Sequence, residues 1–142
     1  MTTPQLMFIK GVELEVLHIP LTSAQELLKP QAACIFLHEG LGSVALWKDW
    51  PQQVCQALNC EGWVYSRKGY GQSEGIAEVR GVGRLSADYM HREALEVLPA
   101  FIQALNIHNP LLIGHSDGGT IALIHASQHS IAGCVVMAPH VM

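Results

Sequence analysis

Positive charge is scarce in this sequence. Eight lysines and arginines stand against twelve aspartates and glutamates, which gives a formal net charge of −4 at pH 7. The basic residues are also scattered, so no segment offers the cationic surface that a phosphate backbone needs. We therefore expect no nucleic-acid partner.

Long apolar runs are lacking as well. No segment approaches the ~18 consecutive apolar residues that are needed to cross a bilayer. The first residues, Met-Thr-Thr-Pro-Gln, show neither the basic start nor the apolar stretch of a secretory signal. We therefore expect a soluble, cytoplasmic protein with no membrane partner.

Paired cysteine motifs are the third absence. The four cysteines form no C-x-x-C pair, which argues against a zinc motif or a redox motif. Cys34 and Cys134 lie inside apolar runs, where cysteine behaves as a small hydrophobic side chain. We expect reduced, structural cysteines, no metal site and no cofactor.

Apolar residues, by contrast, make up 49% of the 142 residues, enough for the core of one domain. Residues 6–10 and 12–19 flank Gly11 as the strands of an antiparallel hairpin would. Four later runs are short and fully apolar, which is typical of strands buried on both faces of a parallel sheet. They are residues 32–37, 63–66, 111–114 and 131–138.

Helical patterns separate these runs, at residues 46–58, 90–105 and 118–128. The middle helix would bury a stripe that includes Leu95 and Leu98, and Pro99 predicts a kink or a late start there. Strands that alternate with helices predict a doubly wound α/β fold. We expect a mostly parallel sheet with an N-terminal antiparallel hairpin, in a single domain over residues 1–142.

The most informative motif lies within residues 111–119. Gly114, Ser116 and Gly118 match the pattern G-x-S-x-G, directly after an apolar strand and directly before a helix. The turn must be tight, so the positions two residues either side of the serine have to lack side chains. Such a turn exposes the serine hydroxyl at the carboxyl edge of the sheet, in front of a helix N-terminus. We predict that Ser116 is a nucleophile.

A second glycine-rich stretch, residues 37–43, follows the third apolar strand. A loop at this position supplies one backbone N–H to an oxyanion hole, and the residue after the nucleophile, Asp117, supplies the other. We predict Gly40 as the first donor. Leu41 is the alternative, because Glu39 stands where many such loops have glycine. A plain strand-to-helix turn would also need glycine here.

Arg67, Gly69, Gly71 and Ser73 form a third pattern, R-x-G-x-G-x-S, after the fourth strand. With the two motifs above it, and in the same order, the sequence resembles the α/β-hydrolase superfamily over nearly its whole length. The resemblance implies a hydrolase for a small ester-like or related substrate, without choosing among ester, amide, carbon–carbon and carbon–halogen bonds.

The resemblance also implies partners for Ser116 that this sequence does not contain. Family members continue with a lid, a triad acid and a triad histidine, whereas this sequence ends at Met142. We therefore expect a domain that is incomplete at its C-terminus. The alternative to an active hydrolase is an inactive half that forms a homo-oligomer, or pairs with a complementing chain, through the exposed edge of its last strand.

Three histidines lie near the predicted site. His115 adjoins Ser116 but should point away from its hydroxyl, which gives it a packing role. His38 ends the third strand and would shape the oxyanion loop through hydrogen bonds. His140 ends the last strand at the edge where ligands bind, as a pocket residue or a surrogate base. With Leu41, these residues form the expected pocket and its support.

A dinucleotide site is the rival enzymatic interpretation. Residues 69–75 are rich in glycine after an apolar strand, as a phosphate-binding turn would be. No helical pattern opens at Gly75, however, and the stretch follows the fourth strand rather than the first. The context therefore disfavours a dinucleotide cofactor.

Overall fold

The computed structural model describes residues 3–22, 32–75 and 88–139. Strands β1 (Gln5–Ile9) and β2 (Val12–Ile19) form the predicted antiparallel hairpin. Lys10 and Gly11 connect them and both have positive φ, 51° and 78°. Two such residues in succession make the tight turn whose twist suits a hairpin.

Four further strands complete a mostly parallel sheet, in the order β1-β2-β4-β3-β5-β6. β3 runs parallel to both β4 and β5, and β5 runs parallel to β6. The predicted α/β class and the N-terminal hairpin are therefore confirmed. The four strands are β3 (Cys34–Leu37), β4 (Gly62–Tyr65), β5 (Leu111–His115) and β6 (Gly133–Met137).

Two apolar clusters cover the faces of this sheet. Ile35 and Leu37 pack into one cluster, and Cys34 and Phe36 pack into the other. Successive residues of a strand point to opposite faces, so the two clusters are the cores on either side. Among the described residues, β6 lies at the edge of the sheet, as the sequence predicts. The predicted burial on both faces is wrong for this strand, because its Val135 is 48% exposed.

The first predicted helix is wrong as one element. The structure has a 3₁₀ turn at Ala45–Trp47 and then helix α1 at Trp50–Leu58. Lys48 lies between them with φ 55° and ψ −131°, which no helix accommodates. Pro51 opens α1 in its first turn, where its missing N–H has no helical partner to lose.

The second predicted helix is continuous but changes pitch. Helix α2 (Tyr89–Arg92) leads through a π turn (Glu93–Val97) into helix α3 (Leu98–Ala104). Pro99 explains the wide turn, because proline has no N–H to donate to the carbonyl four residues before it.

The π turn also corrects the predicted buried stripe. Ala94 and Leu98 are fully buried, whereas Leu95 is 38% exposed. A wider turn places residues four apart, rather than three apart, on the same face. The third predicted helix, α4, spans Asp117–Ala126 and so begins one residue earlier than expected.

Within the described part of the chain, none of the helices has the length and the apolar character to cross a membrane.

Candidate functional site

Ser116 is the single residue between the end of β5 and the start of α4. Its backbone has φ 54° and ψ −116°, a region that residues with a side chain rarely occupy and that costs of order 1–3 kcal/mol. The turn is fixed on both sides, because the Ser116 N–H donates to the Met137 carbonyl at 2.7 Å and the Thr120 N–H donates to the Ser116 carbonyl at 3.0 Å. The surrounding fold therefore holds this serine in a strained conformation.

Two glycines make the turn possible. A Cβ at Gly114 would collide with the carbonyl of Gly118. A Cβ at Gly118 would in turn collide with the carbonyls of Leu37 and His38 at the end of β3. Helix α4 consequently packs against β5 and β3 at backbone distance, as the sequence motif predicts.

The loop after β3 lies directly against the start of α4. The Gly42 N–H donates to the Glu39 carbonyl at 3.0 Å, which closes a turn with Gly40 and Leu41 at its centre. A Cβ at Gly40 would lie 2.7 Å from the Asp117 carboxylate, whereas the Leu41 residue is 86% exposed. The structure therefore brings Gly40 and Asp117 together and turns Leu41 outward.

His38 stabilises this loop through the two nitrogens of its buried ring. Burial and the nearby positive charge of Arg67 lower the pKa of His38 to about 3, so the ring is neutral at pH 7. Nδ1 lies 2.6 Å from the Glu39 carbonyl and donates to it, while Nε2 accepts the Arg67 N–H at 2.9 Å. One neutral tautomer thus satisfies both partners.

Arg67 clamps the same loop through its side chain. Its guanidinium donates to the His38 carbonyl at 2.7 Å and to the Glu39 carbonyl at 3.0 Å. The residue is only 1% exposed and lies over the ring of Tyr70 at 5.6 Å. A planar, permanently charged group thus fixes the two carbonyls that set the orientation of the next peptide units.

The remainder of the R-x-G-x-G-x-S pattern ties the hairpin to the site. Ser73 accepts the Glu15 N–H at 2.7 Å and donates to the Ser66 carbonyl at 2.5 Å. Ser66 donates its hydroxyl to the Glu15 carboxylate at 2.8 Å and accepts the Val44 N–H at 2.8 Å. Gly71 has φ 53°, and a Cβ there would collide with the Glu15 carboxylate.

Two tyrosine–carboxylate pairs lie beside the clamp. The Tyr89 hydroxyl donates to Asp117 at 3.0 Å, and the Tyr65 hydroxyl donates to Glu93 at 3.3 Å. Burial raises the pKa of Tyr89 to about 12, so its hydroxyl remains a donor at pH 7. Burial also raises the pKa of Glu93 to about 7, although Arg67 and the Tyr65 hydrogen bond oppose this rise.

His115 lies beside the β3 loop, with its Nδ1 3.6 Å from the Glu39 carboxylate. It also lines two neighbouring cavities. The smaller, of about 60 Å³, borders His38 and the loop, and the larger, of about 240 Å³, is mainly apolar. Trp47 and Trp50 line the larger cavity, with their rings stacked at 5.5 Å.

Residues 34–142 match the family model that is described as the alpha/beta hydrolase fold. The chain belongs to the alpha/beta hydrolase fold family. The comparison with curated proteins finds no match.

Many solved structures share this alpha/beta hydrolase fold. Est816, described as an N-acyl homoserine lactone degrading enzyme, is 19% identical with a TM-score of 0.69, and the match covers 95% of this chain and 45% of that one. The epoxide hydrolase VrEH1 from Vigna radiata is 16% identical with a TM-score of 0.71, over 99% of this chain and 41% of that one. A predicted CIB-like hydrolase from Thermoplasma acidophilum is 17% identical with a TM-score of 0.72, over 98% and 64%. The chain thus spans less than two thirds of the length of each, and the likeness shows the fold.

Within this alpha/beta hydrolase chain, the structure brings most of the predicted site residues to one edge of the sheet. This edge brings together the end of β5 and the start of α4, with His115, Ser116 and Asp117, and the loop after β3, with His38 and Gly40. His140 lies outside the described residues, so its predicted place in the pocket stays a prediction.

Sequence reasoning missed several residues around this edge. Arg67 belongs to the R-x-G-x-G-x-S pattern, which is the signal that could have pointed to it, but the pattern does not indicate its role at the loop after β3. Tyr89, Glu93 and Glu15 carry no motif, and only the folded sheet brings them to the site.

Proposed function

We propose that this chain carries the nucleophile of a hydrolase, with Ser116 attacking the carbonyl carbon of a small ester-like substrate. The observation that carries the proposal is the strained backbone of Ser116, φ 54° and ψ −116°, between β5 and α4. Strain of this kind needs support from the surrounding fold and is concentrated at functional sites. Here the Met137 carbonyl and the two flanking glycines supply that support.

The proposed chemistry is acyl transfer in two steps. The Ser116 oxygen bonds to the substrate carbonyl carbon, its proton passes to a general base, and the alcohol leaves. Water then attacks the acyl-serine ester, which releases the acid and restores the serine hydroxyl. The negative oxygen that forms in each step needs N–H donors that are fixed in advance.

Gly40 and Asp117 are the proposed donors for that oxygen. A Cβ on Gly40 would lie 2.7 Å from the Asp117 carboxylate, so the two residues are neighbours, and we propose that their N–H groups face one reacting group. Leu41, the alternative donor, is 86% exposed, and no such contact with Asp117 supports it. Arg67 and His38 hold the peptide units that precede Gly40, which supports the fixed orientation that an oxyanion donor requires.

The substrate class rests on the same features and on the cavity beside them. A serine nucleophile with backbone donors suits acyl compounds, and Est816 is described as acting on a lactone, which is a cyclic ester. The larger cavity, of about 240 Å³, is lined by Leu46, Trp47, Trp50, His115 and Met137. We propose that this apolar space receives the acyl chain of the substrate.

A fluorophosphonate probe and a series of short p-nitrophenyl esters test the proposal on the full chain. We expect covalent labelling at Ser116 and its loss in Ser116→Ala. Ser127→Ala is the matched control, because Ser127 is exposed just after the end of the same helix and its hydroxyl donates to the Ile124 carbonyl at 2.6 Å. Ester turnover should fall by about 10⁴-fold or more in Ser116→Ala if a general base is present.

The two readouts separate the parts of the proposal. Labelling with slow turnover would keep Ser116 as the nucleophile and show that this chain lacks an efficient base. Equal labelling of Ser116→Ala and the parent chain, with both variants folded by circular dichroism, would refute the assignment.

A second proposal concerns association through β6. Among the residues that the structure describes, this strand is the last of the sheet, and Val135 on it is 48% exposed. An unpaired strand edge with apolar side chains favours pairing with another strand. We propose that β6 pairs with a second copy or a complementing chain. A monomer in sedimentation velocity at high concentration would refute self-association.

A further inference from the structure

Three cysteines meet at the edge of the sheet opposite Ser116. The sulfur atoms of Cys34, Cys55 and Cys60 all lie within 4.8 Å of one another, and those of Cys34 and Cys60 are 3.0 Å apart. The three residues are 0%, 2% and 1% exposed. They come from three different elements, since Cys34 opens β3, Cys55 lies in α1 and Cys60 lies just before β4.

The backbone holds Cys34 and Cys60 face to face. The Cys34 N–H donates to the Glu61 carbonyl at 2.9 Å, and the Cys60 N–H donates to the Cys55 carbonyl at 3.1 Å. Asn59 ends helix α1 in the left-handed conformation, which turns the chain sharply into Cys60. The approach of the two sulfurs therefore results from strand pairing and a helix cap rather than from mobile side chains.

The surroundings of the three sulfurs are apolar. They belong to the cluster that includes Phe36, Ile19 and Val64, and the Cys55 sulfur occupies the space beside Gly62 that a Cβ would need. An apolar site favours neutral groups and penalises a set of three charged thiolates. A disulfide is neutral, whereas three thiolates around a monovalent or divalent metal ion would carry net negative charge.

We propose that Cys34 and Cys60 are a redox-active pair that closes to a disulfide when a peroxide reaches the folded chain, while Cys55 remains a thiol. The Cys60 sulfur attacks one peroxide oxygen and becomes a sulfenic acid, with release of one water. The Cys34 sulfur then attacks the Cys60 sulfur and releases a second water. The two thiols lose two electrons and two protons, and the peroxide is reduced.

Hydrogen bonding selects Cys60 as the first sulfur to react. Cys34 and Cys55 can both donate to it, and these hydrogen bonds lower the pKa of Cys60 against the effect of burial. The thiolate is the form of cysteine that reacts with peroxide. The Cys34 sulfur lies 3.0 Å from the Cys60 sulfur, within reach to resolve the sulfenic acid.

Thiol counting after oxidation tests the proposal. The folded chain is treated with hydrogen peroxide, excess oxidant is removed, and free thiols are titrated with Ellman's reagent in denaturant. We expect the count to fall from four to two, and peptide mapping without reduction to recover a Cys34–Cys60 crosslink. The crosslinked chain should also unfold at a higher temperature than the reduced chain.

Single variants sharpen the test. In the variants Cys55→Ala and Cys134→Ala, the free-thiol count should fall from three to one on oxidation, because neither change removes Cys34 or Cys60. Cys34→Ala and Cys60→Ala should form no internal crosslink, and the serine variants at the same positions repeat the test with a different side chain.

Three outcomes would overturn the proposal. One is a free-thiol count that stays at four even when hydrogen peroxide is in large excess or has been consumed. Another is a crosslink that includes Cys55 or Cys134 in the parent chain. The third is stoichiometric binding of Cu⁺ or Zn²⁺ that requires all three cysteines, including Cys55, because this would show a metal site instead of a pair.

Discussion

The buried side chains at the two ends of the parallel strands differ in how they are bonded. At the carboxyl ends, His38 and Arg67 follow β3 and β4, and their ring and guanidinium bond to fixed backbone groups. At the amino ends of the same two strands, Cys34 and Cys60 have each other and Cys55 as the partners of their sulfurs. One sheet therefore carries a rigid polar edge and a buried thiol edge.

This contrast follows from what each side chain can do. Arginine and histidine have directional donors and acceptors that must be satisfied when they are buried, so their partners become fixed. Thiols form weak hydrogen bonds and pack as small apolar groups, so the fold does not have to position them for bonding. The carboxyl edge should thus be sensitive to polar changes, and the amino edge should depend mainly on volume.

Replacing Arg67 with methionine should give the largest effect. The change removes two charge-assisted hydrogen bonds, one to the buried His38 carbonyl and one to the part-buried Glu39 carbonyl. We expect a loss of about 4 kcal/mol in the free energy of unfolding, measured by urea denaturation. Arg92→Met is the matched control, because Arg92 is exposed and pairs with Asp88 on the surface, so it should cost less than about 0.5 kcal/mol. Similar losses in both variants would mean that the clamp does not stabilise the site.

Gly118→Ala should be the next most damaging change. The new Cβ would collide with the carbonyls of Leu37 and His38, which are backbone atoms that side-chain rotation cannot move. We expect about 3 kcal/mol of destabilisation in thermal or urea unfolding, together with loss of fluorophosphonate labelling. Gly75→Ala is the control, because a Cβ there would meet no atom of the described residues within 4 Å. Full labelling of a folded Gly118→Ala chain would contradict the close packing of α4 on β3.

Glu93 should make the free energy of unfolding decrease as the pH rises. A surface carboxylate that is paired with a cation has the opposite effect. Burial raises its pKa from 4.5 to about 7 in the folded chain. The folded chain therefore holds this proton more tightly, and unfolding between these pH values releases it. The stability that this group contributes is complete below pH 4.5 and is lost as the pH rises through 7.

The variant Glu93→Gln isolates this contribution. It cannot ionise and can still accept the Tyr65 hydroxyl, so it should be more stable than the parent chain by about 3 kcal/mol at pH 8.5 and nearly equal to it at pH 4.5. Urea denaturation at the two pH values measures the difference. Glu96→Gln, an exposed change in the same π turn, should show no such dependence. Equal stability differences at both pH values would contradict the buried, protonated state of Glu93.

The two edges also differ in how far the sequence predicts them. The β5 strand, the glycines and Ser116 are contiguous, so local rules about tight turns predicted their arrangement. The β3 loop was predicted for the same reason, and its contact with Asp117 followed from the parallel pairing of β3 and β5. The π turn before Pro99 was not predicted, because proline signals a disturbance without fixing its form.

The cysteine cluster could not be predicted from spacing. Cys34 and Cys60 are 26 residues apart and match no local motif, so only the pairing of β3 with β4 brings them together. Glu93 and Tyr65 are likewise 28 residues apart, with no pattern to connect them. Contacts of this kind depend on the order of strands in the sheet, which short-range rules do not determine.

Cys55→Ala should have the smallest effect and tests the amino edge directly. The Cys55 sulfur packs against Gly62 in an apolar cluster, and its hydrogen bonds within that cluster are to other thiols. Its removal deletes about one methyl-sized group and one weak thiol hydrogen bond, so we expect a loss of about 1 kcal/mol in urea denaturation. A loss as large as that of Arg67→Met would mean that the three thiols form a bonded network like the one at the carboxyl edge, and the contrast between the two edges would fail.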